Sequence, residues 1–550
     1  MKSKTLRIHP NDNVLVALTD LVEGTDIQFN GTSLSTTEKI PTKHKFAVQD
    51  LEPGDEVIMY GILVGKATQS IPRGGLLTTE NVKHDASSFS KSDSEINWTP
   101  PDVSRWKDKT FMGYHRSDGQ VGTANHWLVI PLVFCENRNV NMIRNAFVQE
   151  LGYEEPELYR QYVHELVKQY QNGNTDTIEN RQSAPKKSTL DKKDRVFENV
   201  DGIKFLTHEG GCGGIRQDAE ALCGLLAGYI NNPNVAGATV LSLGCQNAQV
   251  EMLQEKLDDL NTNLDKPVYI LEQQKSGTEY ELLTSAIHKT FLGLMEANKI
   301  ERKPAPLSKL VIGLECGGSD GFSGISANPS IGHTADLISA LGGSAVLSEF
   351  PELCGVEQEM INRTVKPENA EKFISLMRSY SDAAEASGSG FDMNPSPGNI
   401  KDGLITDAIK SAGAAKKGGT SPVQDVLDYT EYVTEPGLNL LCTPGNDVES
   451  TTAMAGSGTN IILFTTGLGT PTGNPITPVV KVSSNTQLTE RMPDIIDIDS
   501  GSIINGEKTI EDVGAEILDY IIDLASGRVT TKAMDLNQND FIPWKRGVSL

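Results

Sequence analysis

Four cysteines follow apolar segments that are predicted to be strands. Cys135, Cys212, Cys245 and Cys316 each lie at or within the loop after such a segment, and three of them have a glycine neighbour. A single cysteine of this kind can serve as a small buried apolar side chain. Four in equivalent positions favour a ligand set, and soft thiolates suit iron, either as one ion or as a cluster. The sequence has no Cys-x-x-Cys pair, which disfavours a structural zinc ribbon.

Acidic residues are concentrated in two loops that flank one predicted strand–helix–strand unit. Glu315 ends an apolar strand, and Asp320 follows in the same glycine-rich loop; Glu349 and Glu352 come after the next strand. A carboxylate such as Glu315 is either satisfied by loop amides or bound to a metal. Glu349 and Glu352 are candidates for the same site, although ordinary solvated acids would have the same pattern.

Two histidines are candidates for proton transfer. His44 lies between Lys43 and Lys45, and His208 directly precedes the sequence EGGCGG. Because imidazole titrates near neutral pH, either side chain could act as a general base. The glycine loops contain neither a Walker A motif nor a dinucleotide fingerprint, which argues against an NAD-dependent oxidoreductase.

The elements that must position these residues repeat one pattern of strand, glycine- and cysteine-rich loop, and helix. This rhythm predicts parallel sheets covered by helices. Ligands of such sheets bind beyond the carboxyl ends of the strands, where the cysteine and carboxylate loops are expected to meet. The predicted strands are the continuous apolar run 126–134 and the segments 205–207, 238–243, 310–314, 344–347 and 460–465, and the predicted helices are 218–230, 248–257, 333–341 and 512–525.

The chain is predicted to be a multidomain α/β protein. Residues 1–85 have short β-rich runs between turn signals, and 86–105 have the Ser, Asp and Pro content of a linker. A middle α/β domain is expected at 106–304, with a polar insertion at 153–200 that contains one helix. The C-terminal domain at 305–550 is expected to be a parallel sheet with helices on its faces.

Composition excludes several classes of function. The chain has 550 residues, 38% of them hydrophobic, and a net charge of −24. That charge opposes binding to nucleic acid or to an anionic membrane surface. No apolar run is long enough for a transmembrane helix and no signal peptide is evident, so a cytoplasmic protein is expected. Seven cysteines are too few for a disulfide scaffold.

Several long motifs resemble the altronate dehydratase/galactarate dehydratase family. The resemblance covers nearly the whole chain except the insertion at 153–200, and its N-terminal module is similar to a SAF-type β-clip domain. It rests on ECGGSDGFSGISANP (315–329), NPSPGN (394–399), PGLNLLCTPGND (436–447), GLGTPTG (467–473), SLGCQN (242–247) and the N-terminal NDNVLVAL, KHKFA and YGILVGKA.

The resemblance implies a hydro-lyase that removes water from a sugar acid. Altronate would give 2-keto-3-deoxygluconate; galactarate or a related hydroxy acid is the alternative. It also implies dependence on ferrous iron, a β-clip, a middle domain that mediates a homodimer, and a C-terminal Rossmann-like domain. A sugar-acid sensor without a metal is a further alternative that the sequence leaves open.

Chemistry then suggests roles for the candidate residues. Removal of the weakly acidic C2 proton needs a base, a cation at the substrate carboxylate, and an acid for the C3 hydroxyl. Mononuclear Fe²⁺ is favoured over an iron–sulfur cluster. The proposed iron ligands are Cys135, Cys212, Cys245, Cys316 and Glu315. The proposed acids and bases are His208, His44, Asp320, Glu349 and Glu352, and the proposed substrate contacts are Lys43, Lys45, Asn247, Ser319 and Asn446.

Overall fold

The computed structural model describes residues 3–29, 31–91, 96–154, 158–180, 194–262 and 264–549. It confirms a multidomain α/β architecture with small antiparallel sheets at the N-terminus and two separate parallel sheets after them. None of the helices in these ranges combines the length and apolar character needed to cross a membrane.

In the part of the chain that the structure describes, the N-terminal module contains three small antiparallel sheets. Its buried aliphatic side chains pack together with Phe322, Ile325 and Ile409 of the C-terminal domain, so that the two share one core. The module is therefore docked on the C-terminal domain. The sheets contain Thr5–Leu6, Val14–Ala17 and Lys45–Ala47; Asp26–Phe29 and Thr32–Ser35; and Glu56–Met59, Ile62–Ala67 and Val82–Lys83.

The predicted linker makes its contacts with the C-terminal domain. Residues 86–91 and 96–105 form no helix or strand, but Ser90 donates its backbone N–H to Gln358, and Trp98 Nε1 donates to Thr420 Oγ1 at 3.2 Å. A three-stranded antiparallel sheet follows at the entry to and exit from the middle domain. Its strands are Val121–Gly122, Thr110–His115 and Lys303–Pro306.

The middle domain is a four-stranded parallel sheet. The order of its strands is Gly202–Phe205, His126–Pro131, Val235–Ser242 and Val268–Glu272. The continuous apolar run at His126–Pro131 is entirely buried, as expected for an inner parallel strand. The predicted helix in the polar insertion is present at Leu158–Gln171, and the other helices are Asn137–Phe147, Thr175–Glu179, Arg216–Asn231, Val250–Leu260, Gln273–Ser276 and Glu279–Ala297. Residues 181–193 of the insertion lie outside the described residues.

The C-terminal domain contains a seven-stranded parallel sheet. The order of its strands is Val423–Leu427, Gly437–Leu441, Ser344–Leu347, Val311–Cys316, Ile461–Thr466, Val479–Ser483 and Ile498–Asp499. The chain adds Ser344–Leu347 on one side of Val311–Cys316 and later adds Ile461–Thr466 on the other. The strand order therefore reverses at Val311–Cys316, and a doubly wound sheet binds its ligands at this point.

Helices cover both faces of this sheet. The predicted C-terminal helix is Ile510–Ala525; Thr509 and Asp512 form a reciprocal cap at its start, and Gly527 follows its end with φ +71°. The other helices are Ala327–Ala340, Glu357–Asn362, Pro367–Ala386, Pro397–Lys401, Asp407–Ala414, Asp447–Gly456, Thr486–Arg491, Gly501–Ile504 and Lys532–Asp535.

Candidate active site

The carboxyl end of Val311–Cys316 places Glu315 in the interior. Glu315 Oε2 accepts hydrogen bonds from Ser450 Oγ at 2.6 Å and from Ser348 Oγ at 3.1 Å. Its other oxygen, Oε1, is buried and has no hydrogen-bond partner among the described residues. Burial and the nearby charge of Glu349 raise the pKa of Glu315 well above its usual value. The side chain thus has one oxygen held in place by two serines, while its other oxygen faces the neighbouring carboxyl of Glu349.

Cys316, the next residue, lies in a buried network with two charged groups. Its Sγ donates to Glu352 Oε2 at 3.0 Å and lies 3.0 Å from Lys417 Nζ. Burial and the charge of Glu352 raise the pKa of the thiol well above its usual value. Lys417 Nζ also lies 2.6 Å from Glu349 Oε2, so an ammonium group occupies the centre of this network.

Glu349 and Glu352 follow the neighbouring strand, Ser344–Leu347. Glu349 has φ +65°, an uncommon conformation for a residue with a side chain, and its N–H donates to Thr443 Oγ1 at 2.8 Å. Glu352 Oε1 lies 2.7 Å from Lys410 Nζ. Although burial opposes it, Lys410 and Lys417 lower the pKa of Glu352 to about 2. Glu352 is therefore ionised, with a fixed counter-ion.

Asp447 completes what we call the carboxylate–lysine cluster, which is Glu315, Cys316, Glu349, Glu352, Lys410, Lys417 and Asp447. Asp447 begins the helix Asp447–Gly456, and ligand atoms of Glu315, Glu349 and Asp447 lie within 4.8 Å of one another. Burial, followed by the charges of Glu349 and Glu352, raises the pKa of Asp447 to about 7.

These three carboxylates fit a divalent cation. They crowd together, their pKa values are raised, and one oxygen of Glu315 has no partner in the described structure. The cluster as a whole has four carboxyl groups but only two ammonium groups. An all-oxygen donor set suits hard or intermediate ions such as Mg²⁺, Mn²⁺ or Fe²⁺ better than soft ones. The second group of ligand atoms within 4.8 Å, Cys316 with Glu349 and Glu352, already surrounds Lys417.

The N-terminal module contributes a loop at Thr42–Lys45 to the same region. Lys43 Nζ lies 2.9 Å from Asp320 Oδ2 and 3.0 Å from Asp402 Oδ1, while Lys45 Nζ donates to the Gly403 carbonyl at 2.8 Å. Burial lowers the pKa of Lys45 to about 7. His44 Nδ1 lies 3.1 Å from the Thr42 carbonyl, and burial lowers the pKa of His44.

Several predicted residues are held by local contacts in this region. Asp320 is fully buried and, besides Lys43, accepts hydrogen bonds from Ser323 Oγ, the Phe322 N–H and Ser484 Oγ. Ser319 is buried, and its carbonyl accepts from Asn399 Nδ2 at 2.8 Å. Asn446 Oδ1 caps the helix Asp447–Gly456.

The structure does not unite the five predicted iron ligands. Glu315 and Cys316 belong to the C-terminal sheet, whereas Cys135, Cys212 and Cys245 are exposed and follow strands of the middle sheet. The repeated strand–loop–helix pattern builds two sheets, each with its own carboxyl edge, and the groups of ligand atoms within 4.8 Å among the described residues include Glu315 and Cys316 but none of the other three predicted ligands. His208 and Asn247 also lie at the middle edge: His208 Nε2 faces the Pro131 carbonyl at 2.8 Å, and Asn247 Nδ2 donates to the Gly214 carbonyl at 3.1 Å.

Sequence reasoning missed three charged members of the cluster. Lys410 and Lys417 lie in an alanine- and glycine-rich stretch without any motif for ion binding, and their role follows only from long-range packing. Asp447 had a signal, because it ends the motif TPGND, which follows the apolar run GLNLL.

Comparison with known proteins gives matches along almost the whole chain. Three family profiles match: "Altronate/galactarate dehydratase SAF domain" at 3–85, "D-galactarate dehydratase/Altronate hydrolase, second domain" at 113–298, and "D-galactarate/Altronate dehydratase, C-terminal" at 307–549. The chain belongs to the altronate/galactarate dehydratase family. It is a hydro-lyase of that family.

Individual relatives align from end to end. Altronate dehydratase of Bacillus subtilis is 34% identical over 99% of both chains, and altronate dehydratase of Escherichia coli is 32% identical over 99% of both. Galactarate dehydratase (L-threo-forming) of Escherichia coli is 30% identical over 96% of this chain and 93% of its own. The family resemblance inferred from the sequence motifs is thus confirmed.

Proposed function

We propose that this protein dehydrates altronate to 2-keto-3-deoxygluconate. The observation that supports this most is the carboxylate–lysine cluster, which lies at the point where the strand order of the C-terminal sheet reverses. Altronate is favoured because both altronate dehydratases are matched over 99% of their length with higher identity than the galactarate dehydratase. Galactarate is the alternative substrate.

Glu315, Glu349 and Asp447 are the proposed ligands of a divalent cation, with Fe²⁺ as the proposed ion. When bound, such a cation would stabilise the negative charge that develops on the substrate carboxylate as the C2 proton is removed. Lys417 stays charged beside Glu349, since the pKa of Lys417 is raised by Cys316, Glu349 and Glu352 against the effect of burial. It thereby holds Glu349 in one position.

Positive groups offset the charge of an anionic substrate. Lys43 is anchored by Asp320 and Asp402, and Lys45 lies beside it in the loop of the N-terminal module. In a chain with a net charge of −24, Lys43 is the proposed positive group for a sugar acid, because against the effect of burial its pKa is raised by Asp320 and Asp402. Lys45, with a pKa of about 7, is only partly charged at neutral pH. Lys410, paired with Glu352, is the proposed hydrogen-bond donor to a substrate hydroxyl.

His44 is the proposed proton carrier. Its lowered pKa keeps the imidazole neutral near pH 7, and when Nδ1–H donates to the Thr42 carbonyl, Nε2 keeps its lone pair. Nε2 would accept the C2 proton and return it to the C3 hydroxyl on the same face of the substrate, which leaves as water. The enol product then tautomerises to the 2-keto acid.

The test is a comparison of sugar acids under anaerobic conditions. The enzyme is supplied with Fe²⁺ and a thiol, then with altronate or galactarate, and the 2-keto acid product is measured. We expect kcat/KM for altronate to exceed that for galactarate at least about tenfold, a difference of about 1.4 kcal/mol. A preference for galactarate would replace the substrate proposed here, and failure with both would overturn the proposed function.

The proposed assembly is a homodimer. Light scattering of the full chain should give twice its monomer mass at micromolar concentration. A monomer that is fully active at the same concentration would overturn this part.

A further inference from the structure

Three exposed cysteines lie in loops at the carboxyl edge of the middle sheet, whereas the carboxylate–lysine cluster belongs to the C-terminal sheet. Cys135 follows the strand His126–Pro131, and the strands on its two sides are followed by Cys212 and Cys245. We call these side chains the three-thiol edge. We propose that the three-thiol edge binds an iron–sulfur cluster of the [4Fe–4S] type through the sulfur atoms of Cys135, Cys212 and Cys245.

Backbone hydrogen bonds hold the three loops together. The Phe134 N–H, one residue before Cys135, donates to the Gly210 carbonyl at 3.1 Å. The Ala248 N–H, three residues after Cys245, donates to the carbonyl of Gly211, which adjoins Cys212, at 3.0 Å. The loops that carry the three thiols are therefore bonded to one another, although 110 positions separate Cys135 from Cys245 in the chain.

Among the described residues, these three sulfur atoms are not all within 4.8 Å of one another, as ligands of one ion would be. Thiolates bound to one tetrahedral ion at about 2.3 Å lie about 4 Å apart. In a [4Fe–4S] cluster the iron atoms occupy separate corners of a cube, so the thiolates that bind them lie further apart than thiolates bound to one ion. Three thiolates would bind three of its irons and leave the fourth open to another ligand.

The surrounding loops are suited to a large anionic group. Gly211 and Gly213 flank Cys212 with φ +95° and +69°, and Gly244 precedes Cys245 with φ +122°. Glycines in this conformation turn backbone N–H groups towards a bound anion, an arrangement common at iron–sulfur sites. Gln274 Nε2 donates to Cys245 Sγ at 3.3 Å. Hydrogen bonds to the sulfur ligands help to set the reduction potential of an iron–sulfur cluster.

His208 acts here as a positioning residue. Its Nε2 faces the Pro131 carbonyl at 2.8 Å, and its Nδ1 accepts from the Gly210 N–H at 3.1 Å. Asn137 Nδ2 donates to the His208 carbonyl at 2.8 Å. Both ring nitrogens are thus used to hold the cysteine loop against the end of the strand that leads to Cys135.

The experiment measures inorganic sulfide, which the proposed function does not require. The full chain is reduced and reconstituted under argon with equal ferrous and ferric iron and with sulfide. We expect about four sulfides per chain and a broad absorbance band near 400 nm. Sulfide counts the three-thiol edge alone, because a single ion on the carboxylate–lysine cluster brings no sulfide with it.

Variants locate the cluster. Cys135→Ser, Cys212→Ser and Cys245→Ser should each lower bound sulfide at least about tenfold, with alanine variants as a second set. Cys354→Ser, which changes a thiol beside the C-terminal sheet, is the matched control and should keep its sulfide. Circular dichroism shows whether each variant is folded. Retention of sulfide in the three serine variants, zinc in place of iron, or a disulfide between two of these thiols would overturn the proposal.

His208→Leu tests the positioning role. It should accelerate loss of the 400 nm band under a chelator severalfold, and His208→Gln, which keeps a donor and an acceptor, should restore part of the stability. Equal rates in all three proteins would remove His208 from the proposal.

Discussion

Lys417 Nζ lies 2.6 Å from Glu349 Oε2, and neither side chain is more than 1% exposed. The same ammonium lies 3.0 Å from Cys316 Sγ and 3.6 Å from Glu352 Oε2. An ion pair buried this deeply needs nearly ideal geometry to offset the loss of hydration. Lys417 therefore fixes the positions of two carboxylates at the candidate active site.

Replacing Lys417 should damage both stability and activity. Lys417→Met leaves Glu349 and Glu352 buried without this counter-ion, and we expect the free energy of unfolding to fall by about 3 to 5 kcal/mol. Activity should fall at least about a hundredfold. Chemical denaturation and turnover are the measurements. Lys416→Met is the matched control, because Lys416 is partly exposed and lies 3.8 Å from Glu359; comparable losses in both variants would contradict the prediction.

Glu315→Gln should weaken metal binding without unfolding the protein. The amide keeps the size of the side chain and one acceptor for Ser450 and Ser348, but it cannot lose a proton when a cation binds, as the carboxyl group of Glu315 can. We expect the dissociation constant for Fe²⁺ or Mn²⁺ to rise at least about tenfold, which calorimetric titration measures. Glu359→Gln serves as a control on the surface. Unchanged affinity in Glu315→Gln would exclude this residue as a ligand.

Lys45 should make stability depend on pH. Burial lowers its pKa from 10.5 to about 7, so between these values the unfolded chain binds more protons than the folded one. The buried charge of Lys45 lowers the free energy of unfolding by its full amount below about pH 7, and this loss disappears as the pH rises towards 10.5. The free energy of unfolding of Lys45→Met minus that of the native chain should therefore be about 1 to 3 kcal/mol larger at pH 7 than at pH 9.5. Denaturation curves at both values test this, and a pH-independent difference would refute it.

Lys43 should control substrate binding as well as contribute to folding, because it is the counter-ion of the buried Asp320. Lys43→Met removes a cation held by Asp320 and Asp402, and we expect KM for the sugar acid to rise about tenfold, or about 1.4 kcal/mol. Lys39→Met, on the exposed surface of the same module, is the control. The KM effect should shrink at high salt, since screening weakens the attraction. Equal KM values for the two variants would remove Lys43 from the binding site.

Local sequence was sufficient to predict several strands and helices and to recognise the family. Continuous apolar runs such as His126–Pro131 became buried parallel strands, and the capped pattern before Gly527 became the helix Ile510–Ala525. These features depend on residues that are near in the chain. Propensity, capping and hydrophobic periodicity act over a few residues and can be read from one sequence.

Tertiary structure alone decided which side chains share a site. Cys245 and Cys316 lie in the same strand–loop–helix pattern, yet the strand before Cys245 belongs to the middle sheet and the strand that ends at Cys316 belongs to the C-terminal sheet. Lys417 lies 101 positions from the thiol that it contacts. Which strands pair, and which distant loops then meet, is determined by packing across the whole molecule, because burial and charge compensation depend on neighbours in space and not on neighbours in the chain.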